Sequence, residues 1–562
     1  FNTPPTCPST GASGNGCQSS HNNTRQIRTF KFKQSGANST IQSLPSPLWL
    51  AAKYGGFKDG TSAVVANPLN GVPDEGEWER NDGGPNSNDP ANFFQATNIS
   101  DLALQLGDAF QAIAESAVTG TANSASINTI LGGGQSIQTQ YHTKYEKNDI
   151  TIKWAGSVYS LFVDKWGNLR EDTNGNGKLD LVTSPKGGGP EIGDLVVQFR
   201  PIPGQTKAEI VRLRDVMGNN TLTDGERVED FTELAALWNV TKNLSLLSDS
   251  QIKSSRGFNS IGGRRVYSYY NPGQKADGSV NWTAVDLSGY LFNDTKASSL
   301  KPFLRQATDS AAQDLINYTL GIDFPKYRNR TVVMPWSGGT PLVWRLGDVM
   351  NSKPIIVGEA SGNYHLLYDD ATFNDYRLEV ARRRQVAYFG SNDGFLHAIN
   401  LGYFGSLSDG QAGFTKVDHN GLGTAHELGD ELWAYVPTSV LPHLAWMADP
   451  DYDHGYYVDL KPYIVDVKDE RGAKPVWRTL LIGGLRLGGR TINMADDLSP
   501  DYSYSEFFAL DITDPDSEPK LMWRFRHQNL GLSTAVPTVV RGKGGAWYVV
   551  LPRGPTSDVM DS

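Results

Sequence analysis

Oxygen-bearing side chains stand at the first, third, fifth and ninth places of the run Asp172-Thr173-Asn174-Gly175-Asn176-Gly177-Lys178-Leu179-Asp180. This D-x-N-x-N-G-x-x-D spacing lets Asp172, Asn174, Asn176 and Asp180 converge on one centre, and Gly177 permits the sharp turn between them; it is the pattern of a calcium-binding loop. The seventh place needs only a backbone carbonyl, which Lys178 supplies whatever its side chain does. A helix–loop–helix site would add a bidentate Glu at the twelfth place, where Thr183 stands instead. The flanks, Val158 to Val163 and Leu195 to Phe199, are rich in β-branched and aromatic residues and read as strands. The expectation is therefore a Ca2+ loop set between β-elements, with Asp172, Asn174, Asn176, Lys178 (by its carbonyl) and Asp180 as ligands. Two carboxylates imply a weak site, with Kd on the order of 10⁻⁵ to 10⁻³ M. The alternative is an Asn/Gly/Asp turn that holds nothing, since these residues favour turns for their own reasons.

Other candidate chemistry is sparser. Cys7 and Cys17 bracket a flexible Gly/Ser/Asn segment and suit a disulfide in an oxidising compartment, with free thiols as the alternative. Asp449, Asp451 and Asp453 read as a solvated acidic loop, and Asp511, Asp514 and Asp516 as a turn around Pro515. The stretch Asp215 to Glu226 fits no metal template. His397 is expected to be a packed, hydrogen-bonded core residue. No H-E-x-x-H, G-x-S-x-G or phosphate-cradling glycine loop occurs, so the chain does not read as an enzyme.

The net charge of −10 over 562 residues argues against a nucleic-acid partner. No apolar run reaches the roughly 18 residues needed to span a bilayer. The sequence opens on Phe1 rather than Met, which suits a processed form or a fragment.

The elements that must position the loop are mostly strands. Residues 1–95 read as a loop-rich N-terminal segment, and residues 96–140 as a helical linker with Leu102, Leu106, Phe110, Ile113 and Val118 on one face. Residues 141–562 read as a calcium-binding β-propeller. Its second half repeats a unit: a Pro-led strand, a strand ending in Gly, a strand ending Ala-x-Asn/Asp, and a strand carrying Trp. The first unit runs from Lys353 to Val436, the second from Pro462 to Phe525, and a third opens at Val536. Four short antiparallel strands per repeat define a β-propeller blade.

At these residues the chain resembles the C-terminal region of the PilC/PilY family of type IV pilus factors. The resemblance rests on Leu48 to Phe57, Trp344-Arg345-Leu346-Gly347-Asp348-Val349-Met350-Asn351-Ser352-Lys353-Pro354, Gly390 to Gly394, Tyr456 to Asp459, Ala509 to Pro515 and the Asp172 loop. It implies a mainly β fold, a modified propeller of about seven blades, incomplete here, behind a loop-rich, partly helical N-terminal segment. It also implies bound calcium, minor pilins or pilus tip subunits as partners, and attachment to a host or abiotic surface. The implied location is extracellular, at the pilus tip or outer cell surface. The role would be pilus biogenesis, twitching motility and adhesion. A von Willebrand A-like module often precedes this region in the family, and none is visible. Two other functional classes are a quinone-dependent propeller dehydrogenase, which lacks its adjacent cysteine pair here, and a propeller that serves as an interaction scaffold.

Overall fold

The computed structural model describes residues 133–184, 193–201, 208–228, 230–254, 256–270, 284–406, 412–415, 425–489, 505–527 and 530–555, with 49–50, 53–54, 73, 78, 119–120 and 127–130 ahead of them. Cys7, Cys17 and the amphipathic stripe from Leu102 to Val118 lie outside the described residues.

The repeat unit folds as its sequence order implies. Strands Ile355–Val357, Gln385–Gly390, Leu396–Ser406 and Glu431–Tyr435 pair antiparallel in succession as one blade. Strands Tyr463–Asp469, Val476–Gly484, Glu506–Asp511 and Lys520–Arg526 form the next. Thr538–Arg541 and Trp547–Val550 pair as the hairpin that opens a third. The repetition extends to a defect. The ladder between third and fourth strands shifts register at Ala398/Ile399 in the first blade and at Ala509/Leu510 in the second. The Ala-x-Asn/Asp phrase thus marks a bulge, which twists the blade and re-aims its last residues. Each blade also gains a fifth strand from outside its repeat: Val266–Tyr267 lies parallel to Glu431–Tyr435, and Val285–Asp286 lies antiparallel to Lys520–Arg526. Two-residue strands carry no periodic signal, so sequence reading misses them.

A nine-stranded sheet precedes the blades. Its spine is the long hairpin Gly133–Lys147 with Ile150–Val163, turned at Asn148 and Asp149, which have φ of 53° and 60°. Positive φ at both central residues suits the twist of a tight hairpin, and Asn and Asp tolerate it. Strand structure begins at Thr119–Gly120 and Ile127–Ile130, ahead of residue 140, where the sequence placed the end of a helical linker. The reason lies in Gln135 to Gln140, a buried stretch with Ile137 as its single large apolar residue. Gln138 Nε2 donates to Ser136 Oγ at 2.7 Å, and Trp238 Nε1 and Ser160 Oγ both donate to Gln135 Oε1, at 3.1 and 3.2 Å. A buried strand built mostly from polar side chains leaves no hydrophobic pattern to read.

The sheet continues through Leu169–Arg170, Val196–Pro201, Ala208–Arg214 and Thr223–Val228, an antiparallel meander. It is fastened to the first blade at Trp344 to Gly347. Gly156 N donates to Leu346 O at 3.1 Å, and Trp344 Nε1 donates to Gly156 O at 2.7 Å. One apolar cluster spans the joint, with Ile137, Val158 and Phe162 from the sheet and Leu346, Phe389, Ile399 and Phe414 from the blade side. No helix among the described residues is long and apolar enough to cross a membrane.

Candidate metal centre

The run from Asp172 to Asp180 closes on itself as a loop at the end of the meander. Asp172 Oδ1 accepts from Asn176 N at 3.0 Å, and its Oδ2 accepts from Gly177 N, also at 3.0 Å. Asn174 Oδ1 accepts from Asn176 N at 3.1 Å and Asn176 Oδ1 from Lys178 N at 2.7 Å, so each side chain turns the backbone that follows it. Gly175 and Gly177 sit at φ of 69° and 71°, where a side chain would be strained. Sequence spacing had brought the five expected residues to one loop, and the structure keeps them there. Thr183, in the place of the absent Glu, is used otherwise: its hydroxyl accepts from Asp215 N at 2.8 Å.

Two neighbouring turns are built on the same plan. Asp164 Oδ1 accepts from Trp166 N and Asn168 N, each at 2.9 Å. Asp215 accepts from Asn219 N at 3.0 Å and Asn220 N at 2.9 Å. Between them lies the fully buried guanidinium of Arg170, bonded to Asp164 Oδ2 at 2.8 Å and Asp215 Oδ2 at 2.9 Å. It also donates to the carbonyls of Leu181 and Asp194, at 2.9 and 3.1 Å. Burial disfavours the Asp164 carboxylate, yet bonds from Asn168 and Arg170 hold it below the usual range.

The third turn has no such guanidinium. Among the described residues, no ion pair engages Asp172, Asp180 or Asp194. Burial raises the Asp172 carboxyl, and the nearby Asp180 charge adds to it, against bonds from the loop amides. Burial and the charges of Asp172 and Asp180 push Asp194 up to about 7, although two backbone N–H groups pull it down. The amides of Asn174 and Asn176 both turn Nδ2 onto Asp180 Oδ2, at 2.9 and 2.7 Å, and so partly neutralise it. A hard cation held here would supply a counter-charge. Its donors would be the two carboxylates, the two Asn Oδ1 atoms and the Lys178 carbonyl, an all-oxygen set suited to calcium. Among the described residues no group of three His, Cys, Asp or Glu side chains is gathered to hold a metal. A loop that would draw most of its donors from amides and a carbonyl need not contain one.

Sequence reasoning missed Asp194. Its signal was the Gly193-Asp194 pair ahead of the strand read from Leu195. Gly193 has φ of 80°, and a Cβ there would lie 1.9 Å from Val182 O.

The other candidates resolve into structural roles. His397 is fully buried, with Nδ1 2.8 Å from Glu431 Oε1 and Nε2 3.0 Å from Ser391 Oγ. This is the order of a hydroxyl, an imidazole and a carboxylate, but its wiring is that of a cation. Burial opposes the charge, yet Asp393 and Glu431 hold His397 up at about 8. Ser391 Oγ donates to Asp393, and Arg264 grips Glu431 from the other side at 2.7 and 2.8 Å. Asp449 Oδ1 accepts from Asp451 N at 2.9 Å, and Asp511 Oδ1 from Thr513 N at 3.1 Å, both as turn-formers.

Comparison with known proteins agrees with the blade region. Residues 346–562 match the model of the PilY1 beta-propeller domain. A type IV pilus biogenesis factor PilY1 homolog of Xylella fastidiosa (strain Temecula1) is 24% identical over 545 residues, which is 94% of this chain and 28% of that protein. The type IV pilus biogenesis factor PilY1 of Pseudomonas aeruginosa (strain UCBPP-PA14) is 31% identical over 222 residues, 38% of this chain and 15% of its own length. The chain therefore spans well under a third of these relatives. The crystal structure of the Pseudomonas aeruginosa PilY1 C-terminal domain aligns with 34% of this chain and 30% of its own at 26% identity, with a TM-score of 0.22. The strand order and the repeated bulge of residues 346–562 agree with the PilY1 beta-propeller domain that this stretch matches.

Proposed function

We propose that this chain is the calcium-binding propeller region of a type IV pilus assembly factor, acting outside the cell at the pilus tip. Its partners would be minor pilins or other tip subunits, and its exposed loops would meet a host or abiotic surface. The match of residues 346–562 to the PilY1 propeller carries the pilus reading. The loop's uncompensated carboxylates support the calcium.

The metal has a route to the propeller. A Cβ at Gly177 would lie 3.8 Å from Phe414 O, and Leu179 packs on the cluster that holds Phe414. Phe414 belongs to Ala412–Thr415, the strand that pairs with the far end of Leu396–Ser406 in the first blade. An ion that orders the loop bears on this hairpin, and it can act as a switch only if the hairpin's states differ in calcium affinity. The test is a strain whose factor carries Asp172→Ala and Asp180→Ala. Calcium binding should be lost, with the protein still exported and with altered pilus number or twitching. Normal piliation and motility with binding lost would leave the ion a structural role only. Failure of the wild-type region to co-purify with minor pilins would count against the proposed partners.

A further inference from the structure

We propose that Asp194 is a positioning residue of the calcium loop: it clamps the loop's two ends through their backbone and so sets the affinity for the ion without touching it. The proposal rests on the calcium reading above. Asp194 is fully buried, and each carboxylate oxygen takes a backbone N–H from a different end of the loop. Thr173 N donates to Oδ1 at 3.1 Å, and Asp180 N donates to Oδ2 at 2.7 Å. Both ends are held a second time. Asp194 N donates to Asp180 O at 2.9 Å, and Leu195 N donates to Thr173 Oγ1 at 3.1 Å.

The outermost donors, Asp172 and Asp180, are thus the ligands whose separation this one carboxylate governs. Asp194 is itself anchored, its carbonyl accepting from Arg170 Nη1 at 3.1 Å from the buried cage behind the loop. A loop whose ends are fixed beforehand loses less freedom when it closes on an ion. Partners of this kind, one shell out from a metal, typically account for 10–100-fold in affinity. Only a carboxylate can take both N–H groups. Asparagine has the same shape but offers one acceptor and sets an NH2 against the other donor.

The experiment titrates calcium and terbium into wild type, Asp194→Asn, Thr173→Val and Asp172→Ala, with far-ultraviolet circular dichroism to check the fold. Asp194→Asn should weaken calcium binding about 10–100-fold. The terbium luminescence lifetimes in H2O and D2O should give the same number of bound waters as in wild type. Thr173→Val, which removes only the Leu195 bond, should weaken binding a few-fold in the same direction. It carries the test if Asp194→Asn does not fold. Unchanged affinity in the folded variants overturns the proposal. One extra bound water in Asp194→Asn also overturns it, by making Asp194 a ligand. A wild type that binds no calcium defeats the calcium reading instead, and the Asp172→Ala titration separates the two failures.

Discussion

The Arg170 cage and the Asp172 loop solve one problem in two ways. Both gather aspartates whose carboxylates turn a Gly-containing loop by accepting backbone N–H groups. In the cage, Asp164 and Asp215 share a guanidinium supplied by the chain itself. In the loop, no guanidinium pairs with Asp172, Asp180 or Asp194 among the described residues, and burial raises Asp172 and Asp194. A buried carboxylate needs a counter-charge. Where the fold carries its own, the turn is permanently set. Where it does not, the counter-charge would have to come from outside the chain, as the proposed calcium would supply it. His397 adds a third solution, a counter-charge that depends on pH, among Asp393 and Glu431.

The cage is the place to break this comparison hardest. Arg170→Met keeps the length of the side chain and removes its charge, leaving Asp164 and Asp215 buried without a partner. Loss of one member of a buried ion pair costs about 3–5 kcal/mol. Urea unfolding should show a loss of this size, and calcium affinity should fall too because Asp194 O loses its donor. A variant as stable as wild type would show the guanidinium is dispensable, and the contrast with the loop would collapse.

For the loop, calcium at 100 times its Kd should stabilise the wild type by about 2.7 kcal/mol. In Asp172→Ala with Asp180→Ala the calcium-dependent rise in melting temperature should vanish while the calcium-free melting temperature changes little. An equal calcium effect in both proteins would place the ion elsewhere in the chain.

The histidine supplies the pH arm. His397 sits at about 8, above its ordinary 6.5, so its contribution is complete below pH 6.5 and is lost as pH rises through 8. Holding the proton from 6.5 up to about 8 corresponds to about 2 kcal/mol. The stability difference between wild type and His397→Gln should therefore shrink by about that amount between pH 6 and pH 9. A pH-independent difference would mean the imidazole is neutral throughout. Its resemblance to a hydroxyl–imidazole–carboxylate relay would then have to be taken up again.

What the sequence made legible follows the kind of interaction. The blade order and the Asp172 loop depend on residues near one another in sequence, and both were readable as patterns. The polar strand Gln135 to Gln140 was hidden because its buried residues are mostly polar, and the partners of Gln135, Ser160 and Trp238, lie on the paired strand and far along the chain. Arg170 and Asp194 were hidden for the same reason. Their partners lie 45 and 14 residues away, at Asp215 and Asp180, and no local spacing encodes such bonds. Asp215, in a stretch that fits no metal template, pairs with an arginine.

The smallest effect tests how the loop tunes its affinity. Asn176 donates to Asp180 Oδ2 at 2.7 Å and so stands in for part of the missing positive charge. Asn176→Asp removes that donor and adds a third carboxylate to the donor set. Affinity in such loops rises with the number of charged ligands. Calcium binding should tighten about tenfold, equivalent to about 1.4 kcal/mol, while the calcium-free protein loses some stability to carboxylate repulsion. The two changes must have opposite sign. Calorimetry and calcium-free melting on the one variant read both, and a change of the same sign in each would mean that Asn176 does not face the ion.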